Sequence, residues 1–302
     1  MKNEITITGS TGFIGKNLKI FLNNRYNIID LSVRFKKNQI FNFKSNVVIH
    51  LAGIAHDLSG KFTYEDYMSS NFELTKQIFN GFLGSDSEVF IYLSSVKASA
   101  DKVHGVLTEN CNPNPNSLYG KSKLAAENYI FSNPVPKNKR VYILRPCMIY
   151  GPLNKGNLSL LYNLVSLRIP WPLGAFKNQR SFCSIDNLLF IIEQLIVNKK
   201  ISSEIYNISD DETLSTNRII LLIAKSQNRN QIIWNLPKSL VNFFAIFGDK
   251  INLPLNSENL KKLTESYIVS NEKIINAIGK KLPIRSELGM LNTFKSFDKL
   301  KK

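Results

Sequence analysis

Three cysteines and three histidines in 302 residues leave little from which to build a metal centre. Cys111, Cys147 and Cys183 lie far apart with no Cys-x-x-Cys spacing, and His50, His56 and His104 show no ligand spacing either. That excludes a disulfide framework and a zinc module, and points to reduced thiols in the cytosol. Long apolar runs are missing too. The longest, Leu188 to Val197, contains Glu193 and Gln194 and cannot span a bilayer. A strand-like run opens at Ile5, where a signal peptide would carry its apolar region, so the expected location is cytoplasmic with no transmembrane segment. There is no internal repeat and no low-complexity linker.

Acidic residues are scarce. Lys and Arg number 39 against 23 Asp and Glu, a net charge of +16. Residues 1–150 carry 18 basic and 11 acidic side chains, 151–200 carry 6 and 2, and 201–302 carry 15 and 10. So spread a surplus, with no basic block interleaved with aromatics, describes a lysine-rich surface rather than a nucleic-acid groove, and no nucleic-acid partner is expected.

What is present is an α/β pattern. Strands are expected at residues 5–8, 28–33, 47–53, 89–93, 141–144 and 205–208, and helices at 64–82, 116–131 and 185–197. Fully apolar strands alternating with amphipathic helices mean a parallel sheet covered on both faces. The expected architecture is a doubly wound Rossmann-type sheet from residues 1–150 plus about 181–210. Residues 151–180 and 211–302 form a smaller, mainly helical substrate lobe. Within that lobe Val241 to Phe247 is unusually greasy. It reads as packing or a subunit contact, because its own lysine neighbours are too few for the basic face of a membrane-surface helix.

The turn Gly9-Ser10-Thr11-Gly12-Phe13-Ile14-Gly15 follows the first strand and opens a helix. A phosphate needs bare backbone N–H groups at close range, so Gly9 permits the tight turn, Gly12 the approach of a pyrophosphate and Gly15 the packing of helix on sheet. A nicotinamide dinucleotide is therefore expected on Gly9, Gly12, Phe13, Ile14 and Gly15. Its 2′ position should be read at the end of strand two. Asp30, the acid available there, comes early, and the strand exits through Ser32, Arg34, Lys36 and Lys37. NADP(H) is favoured, with Arg34 on the 2′-phosphate and NAD(H) the open alternative.

Tyr119 and Lys123 share one helix face at spacing i, i+4. An ammonium beside a phenol is expected to lower its pKa, letting Tyr119 pass a proton to or from a carbinol oxygen during hydride transfer. Leu93-Ser94-Ser95 ends a strand at the ligand edge of the sheet and supplies a hydroxyl.

With these motifs the chain resembles an extended short-chain dehydrogenase/reductase of the nucleotide-sugar epimerase/dehydratase family. The residues carrying the resemblance are Thr8 to Gly15, His50-Leu51-Ala52-Gly53, Asn71, Ser94-Ser95, Tyr119-Gly120-Lys121-Ser122-Lys123, Arg145-Pro146, Tyr150-Gly151-Pro152, Arg180-Ser181-Phe182 and Asp186-Asn187. The resemblance implies a catalytic set of Ser95, Tyr119 and Lys123. It places Leu51, Ala52, Gly53, Asn71 and Pro146 on the cofactor side, and Arg180, Asn157 and Leu158 at a nucleotide diphosphate. It also implies a homodimer through the helices near 64–82 and 116–131.

The Asp-Glu pair of the 4,6-dehydratases is absent, which argues against dehydration. Ser94-Ser95-Val96-Lys97 and Pro172 to Ser181 are similar to a bacterial subgroup acting at C4 of UDP-N-acetylhexosamines in surface-polysaccharide synthesis. That similarity puts Lys97 at the substrate, with solvent as the alternative. The expected reaction is reduction of a UDP-4-keto-6-deoxy-N-acetylhexosamine. The alternatives are a UDP-sugar 4-epimerase and, more distantly, a non-catalytic dinucleotide-sensing protein.

Overall fold

The computed structural model describes residues 3–55, 61–154, 156–251 and 256–298. Strand β1 (Glu4–Thr8) runs into the glycine turn and helix α1 (Phe13–Leu22), then β2 (Asn27–Leu31) and β3 (Val47–His50). Helix α2 (Tyr64–Tyr67) passes through a π-helical segment, Met68–Glu73, into α3 (Leu74–Leu83) and β4 (Val89–Leu93). A 3₁₀ turn at Val96–Ala98 and the short β5 (Val106–Leu107) precede α4 (Leu118–Ser132). Next come β6 (Arg140–Pro146), β7 (Met148–Tyr150), α5 (Asn157–Ser166), β8 (Phe182–Ser184), α6 (Ile185–Val197) and β9 (Ile205–Ile208). The chain ends in α7 (Thr216–Ser226), α8 (Lys238–Lys250), α9 (Ser257–Thr264), β10 (Ile268–Val269), α10 (Glu272–Ile278) and α11 (Ser286–Asp298).

Six strands pair in parallel in the order β2-β1-β3-β4-β6-β9. Side chains alternate between two cores. Ile5, Ile7, Ile49, Ile91 and Leu144 pack under α1 and α6, while Val48, Phe90, Tyr92, Val141 and Ile143 pack under α3 and α4. Each such side chain taken fully out of water contributes about 1.5–3 kcal/mol. A third cluster, including Leu158, Tyr162, Ile220, Met290 and Phe294, holds the C-terminal helices together. Val269, Ile274 and Ile278 join the sheet side instead.

This is the doubly wound Rossmann-type sheet read from the sequence, with two local differences. Strand β2 stops at Leu31, not Val33, because β1 offers no partner beyond Thr8. The helix over 64–82 is interrupted by its π segment, which carries Asn71. Winding reverses between β1 and β3, so the loops after Thr8 and His50 flank a crevice at the carboxyl edge of the sheet. Among the described residues no helix is long and apolar enough to cross a membrane.

Candidate active site

The crevice is shaped by glycines. Gly9 sits at φ +70°, and a Cβ there would lie 2.8 Å from the Ala52 nitrogen, so the loops after β1 and β3 touch at this point. A Cβ on Gly15 would come within 2.5 Å of the Ser10 Cα. Gly12 is different: its added Cβ would meet nothing nearer than the Gly9 carbonyl oxygen at 3.4 Å. It is also the N-cap of α1, where no side chain caps the helix and no acidic residue occupies the first turn. The open cradle, bare helix N-terminus and absence of a carboxylate fit a dinucleotide pyrophosphate, with Phe13 and Ile14 opening the helix beneath it. Arg34 is exposed beyond the end of β2. Asp30 lies earlier and pairs with Lys19 of α1.

Three residues two turns apart from end to end on α4 define the other wall. The Ser95 hydroxyl lies close enough to Tyr119 to act on its phenol, and the Ser95 Oγ accepts the Lys97 amide at 3.2 Å. Lys123 Nζ donates to the Leu93 carbonyl at 2.9 Å and lies 4.9 Å from the Tyr92 ring centre. One turn on, Glu127 accepts from Arg145 Nε at 3.0 Å and Nη2 at 2.5 Å, and from the Ser94 hydroxyl. Both ions are buried. Glu127 stands at i+4 from Lys123, so its place on this face was legible from spacing, yet sequence reasoning passed over it.

The electrostatics correct one expectation. Burial pushes the Tyr119 phenol up to about 12, opposed by the Ser95 hydroxyl and assisted by Tyr67 and Glu127. Burial brings Lys123 down to about 8, against the pull of Glu127. The ammonium is directed at a backbone carbonyl and a ring face, and it does not make this phenol acidic. In the free protein Tyr119 therefore holds its proton.

Asn71, on the π segment, lies between the loop after β3 and α4. Its Oδ1 accepts the Ile54 amide at 2.8 Å, and its Nδ2 donates to the Ile54 carbonyl and the Ser122 hydroxyl, both at 3.1 Å. With its amide spent and fully buried, it ties the loop after β3 to α4. Gly53, at φ +153°, runs across it, and a Cβ there would collide with Asn71 Oδ1 and stand 3.7 Å from Lys123 Nζ.

A buried relay reaches the same asparagine from the cofactor side. Thr8 Oγ1 accepts from the amides of Leu51 and Ala52, at 3.2 Å each, so its own proton goes to His50 Nδ1 at 2.7 Å. His50 Nε2–H then donates to Thr75 Oγ1 at 2.9 Å, whose hydroxyl donates to the Asn71 carbonyl at 2.7 Å. Burial, with Lys123 nearby, lowers His50 to about 3, which matches this neutral tautomer.

On the remaining side, Lys97 Nζ donates to the Asp101 carbonyl at 2.9 Å and stacks 4.6 Å from the Tyr267 ring centre. It is half-buried rather than turned to solvent, with its pKa lowered by burial and, more weakly, by Arg180. Arg180 Nη1 donates to the Lys262 carbonyl at 2.6 Å. Cys147 is buried beside both cations, directly after Pro146. Leu158 is buried in the C-terminal core, so its side chain brings no polar group to the crevice. The side chain of Asn157 lies outside the described residues.

Residues 5–209 match the family model described as the NAD dependent epimerase/dehydratase family. A UDP-glucose 4-epimerase of Vibrio cholerae is 28% identical over 326 aligned positions, spanning 98% of this chain and 96% of that protein. An N-acetyl-alpha-D-glucosaminyl-diphospho-ditrans,octacis-undecaprenol 4-epimerase of Escherichia coli is 25% identical over 259 positions, covering 80% of this chain and 77% of that protein. Among solved structures, UDP-glucuronic acid 4-epimerase from Bacillus cereus in complex with NAD superposes with a TM-score of 0.75 at 19% identity, covering 99% of this chain and 100% of that one.

Proposed function

The chain belongs to the NAD dependent epimerase/dehydratase family, and we propose that it is an oxidoreductase moving hydride at C4 of a UDP-sugar. The observation that carries this reading is the placement of the Ser95 hydroxyl and Lys123 around the Tyr119 phenol, at the sheet edge shared with the glycine cradle. A bound nicotinamide dinucleotide supplies the hydride donor or acceptor. Gly9, Gly12 and Gly15 seat its pyrophosphate on the N-terminus of α1, and Arg34 faces its 2′ position. Ser95, pinned by the Lys97 amide, orients the C4 oxygen. Tyr119 gives that oxygen a proton or takes one from it. Lys97, from the turn after β4, and Arg180, from the C-terminal lobe, meet the substrate, with Arg180 toward the diphosphate. The pair of chains expected from family resemblance would join across α3 and α4.

Two net reactions use this site. Reduction of a UDP-4-keto-6-deoxy-N-acetylhexosamine is favoured by two features. Tyr119 rests protonated, ready to donate, and β2 exits through Ser32 and Arg34 with no carboxylate for a ribose hydroxyl. Epimerisation at C4 is favoured by the full-length similarity to the Vibrio cholerae UDP-glucose 4-epimerase.

One experiment separates them. Purified protein is incubated with UDP-4-keto-6-deoxy-GlcNAc and NADPH, and separately with UDP-GlcNAc or UDP-glucose and NAD. Reduced-nicotinamide absorbance is followed and products are resolved by NMR. Stoichiometric loss of NADPH identifies a reductase. Interconversion of C4 epimers at constant nicotinamide redox state identifies an epimerase. No change in either arm, with dinucleotide binding intact, would defeat the C4 reading.

A further inference from the structure

Tyr267 stands where three parts of the crevice meet. Its amide donates to the Gln179 carbonyl and its carbonyl accepts the Ser181 amide, each at 2.9 Å, so its backbone brackets Arg180. The next two residues, Ile268 and Val269, pair in parallel with Val106 and Leu107 of β5. Gripped on both sides, Tyr267 reaches the turn after β4. Its hydroxyl donates to the Ala100 carbonyl at 2.6 Å, with the Val96 carbonyl 3.4 Å away, and its ring centre lies 4.6 Å from Lys97 Nζ.

That turn carries two groups of the site. Ser95 is the N-cap of the 3₁₀ turn and Lys97 lies within it. The same segment also meets α4. Asp101 accepts the amides of Asn116 at 2.7 Å and Ser117 at 2.8 Å, and the Ser117 hydroxyl at 2.8 Å. Ser117 caps α4 two residues before Tyr119. A Cβ on Gly120 would lie 2.4 Å from the Lys97 carbonyl, so helix and turn are in direct contact. The Tyr267 phenol therefore joins the segment of Arg180 to the turn of Ser95, and through it to the start of α4.

Lys97 is held by neutral partners. Its Nζ donates to the Asp101 carbonyl at 2.9 Å and faces the Tyr267 ring. The two acids that act on it are engaged elsewhere, Asp101 at the start of α4 and Glu265 with Lys261 at 3.4 Å. An aromatic face attracts an ammonium through its quadrupole without neutralising it, so the charge is left for a ligand. A leucine in the same place would supply bulk but no such attraction.

Resting on the C4 reading, we propose that Tyr267 is a positioning residue of this site. Its ring holds Lys97 toward the sugar of a UDP-sugar, and its hydroxyl fixes the turn that presents Ser95. It acts through these two groups and meets no reacting atom.

The purified full chain, saturated with NAD or NADPH, is titrated calorimetrically with UDP and with UDP-GlcNAc. Tyr267→Leu should weaken UDP-GlcNAc about five-fold or more, the loss of one partly buried ring–ammonium contact, and leave UDP within about two-fold of wild type. UDP is spared because the backbone bracket around Arg180 does not depend on the side chain. Tyr267→Phe keeps the ring and loses the hydroxyl, so KM should hold while kcat falls several-fold on the sugar that the wild type turns over. Lys97→Met/Tyr267→Leu should bind UDP-GlcNAc no more weakly than Lys97→Met alone, whereas a merely structural role would make the two losses add. Three results overturn the inference and leave the C4 reading standing: wild-type UDP-GlcNAc affinity in Tyr267→Leu, equal losses for UDP and UDP-GlcNAc, or additive losses in the double variant. A wild-type chain that binds neither ligand defeats the C4 reading and the inference with it. Should Tyr267→Leu fail to fold, Tyr267→Phe decides, and an unchanged kcat overturns the proposal.

Discussion

Glu127 of α4 receives two nitrogens of Arg145 from β6 directly beneath the helical face that carries Tyr119 and Lys123. The pair is buried, so removing one ion strands the other. Arg145→Met should cost about 3–5 kcal/mol in urea unfolding, because a buried carboxylate loses its partner. Replacing both, as Glu127→Met/Arg145→Leu, should recover most of that stability. Turnover should stay depressed in the double variant, since the anchor between α4 and the sheet is gone. Full recovery of turnover would show that the pair only maintains folding.

The phenol itself is tested by Tyr119→Phe. If Tyr119 is the proton donor proposed above, its loss is expected to lower kcat on the order of 10²–10⁴-fold, while dinucleotide affinity measured by fluorescence titration stays within about two-fold of wild type. Glu127→Gln makes a second prediction at the same group. Glu127 helps raise the Tyr119 pKa, so neutralising it should move the basic limb of the pH–rate profile to lower pH. An unmoved limb would separate Glu127 from the reacting phenol.

Acid stability should carry the signature of His50. Its folded pKa is lowered to about 3 from 6.5. Below pH 6.5 the unfolded chain takes up a proton that the folded chain refuses, so this group's contribution to stability falls as pH falls through that window, until about 3. Between pH 6.5 and 5 the loss should be roughly 2 kcal/mol. His50→Gln should lack that slope in paired denaturation curves, although it starts less stable because the Thr8–His50–Thr75 relay is broken.

Much of the architecture was legible because buried parallel strands write themselves as apolar runs, as at Val47 to His50 and Val89 to Leu93. The cradle was legible because only glycine fits where the Ala52 nitrogen and Ser10 Cα crowd the turn. What stayed hidden was long-range. The π segment that swings Asn71 under Gly53 has no periodicity of its own, and the sequence does not announce that Lys123 points at the Leu93 carbonyl. The acidic-phenol expectation failed for the same reason. Spacing i, i+4 places two side chains on one face but does not say which acceptor each one chooses.

If the proposed NADP(H) preference holds, it would rest on Arg34, which is exposed past the end of β2. Arg34→Ser should weaken NADP(H) about ten-fold, the loss of one charge-assisted contact, and leave NAD(H) nearly unchanged. Ser32→Asp should move the preference further toward NAD(H). Equal losses for both cofactors in calorimetric titrations would remove Arg34 from the 2′ position.

Gly53 offers a test of the joint between the loop after β3 and α4. Its φ of +153° disfavours any side chain, and its Cβ would strike the Asn71 oxygen that holds the Ile54 amide. Gly53→Ala should therefore release the Asn71 anchor, costing about 2–3 kcal/mol once a buried hydrogen bond is lost on top of backbone strain. Gly105→Ala separates the two contributions. Gly105 has φ +82°, yet an added Cβ there meets nothing within 4 Å, so only strain of about 1 kcal/mol is expected. Dinucleotide affinity and kcat should fall together in Gly53→Ala and stay at wild-type values in Gly105→Ala. If both variants lose stability equally and keep full turnover, the contact between Gly53 and Asn71 has no part in positioning Lys123.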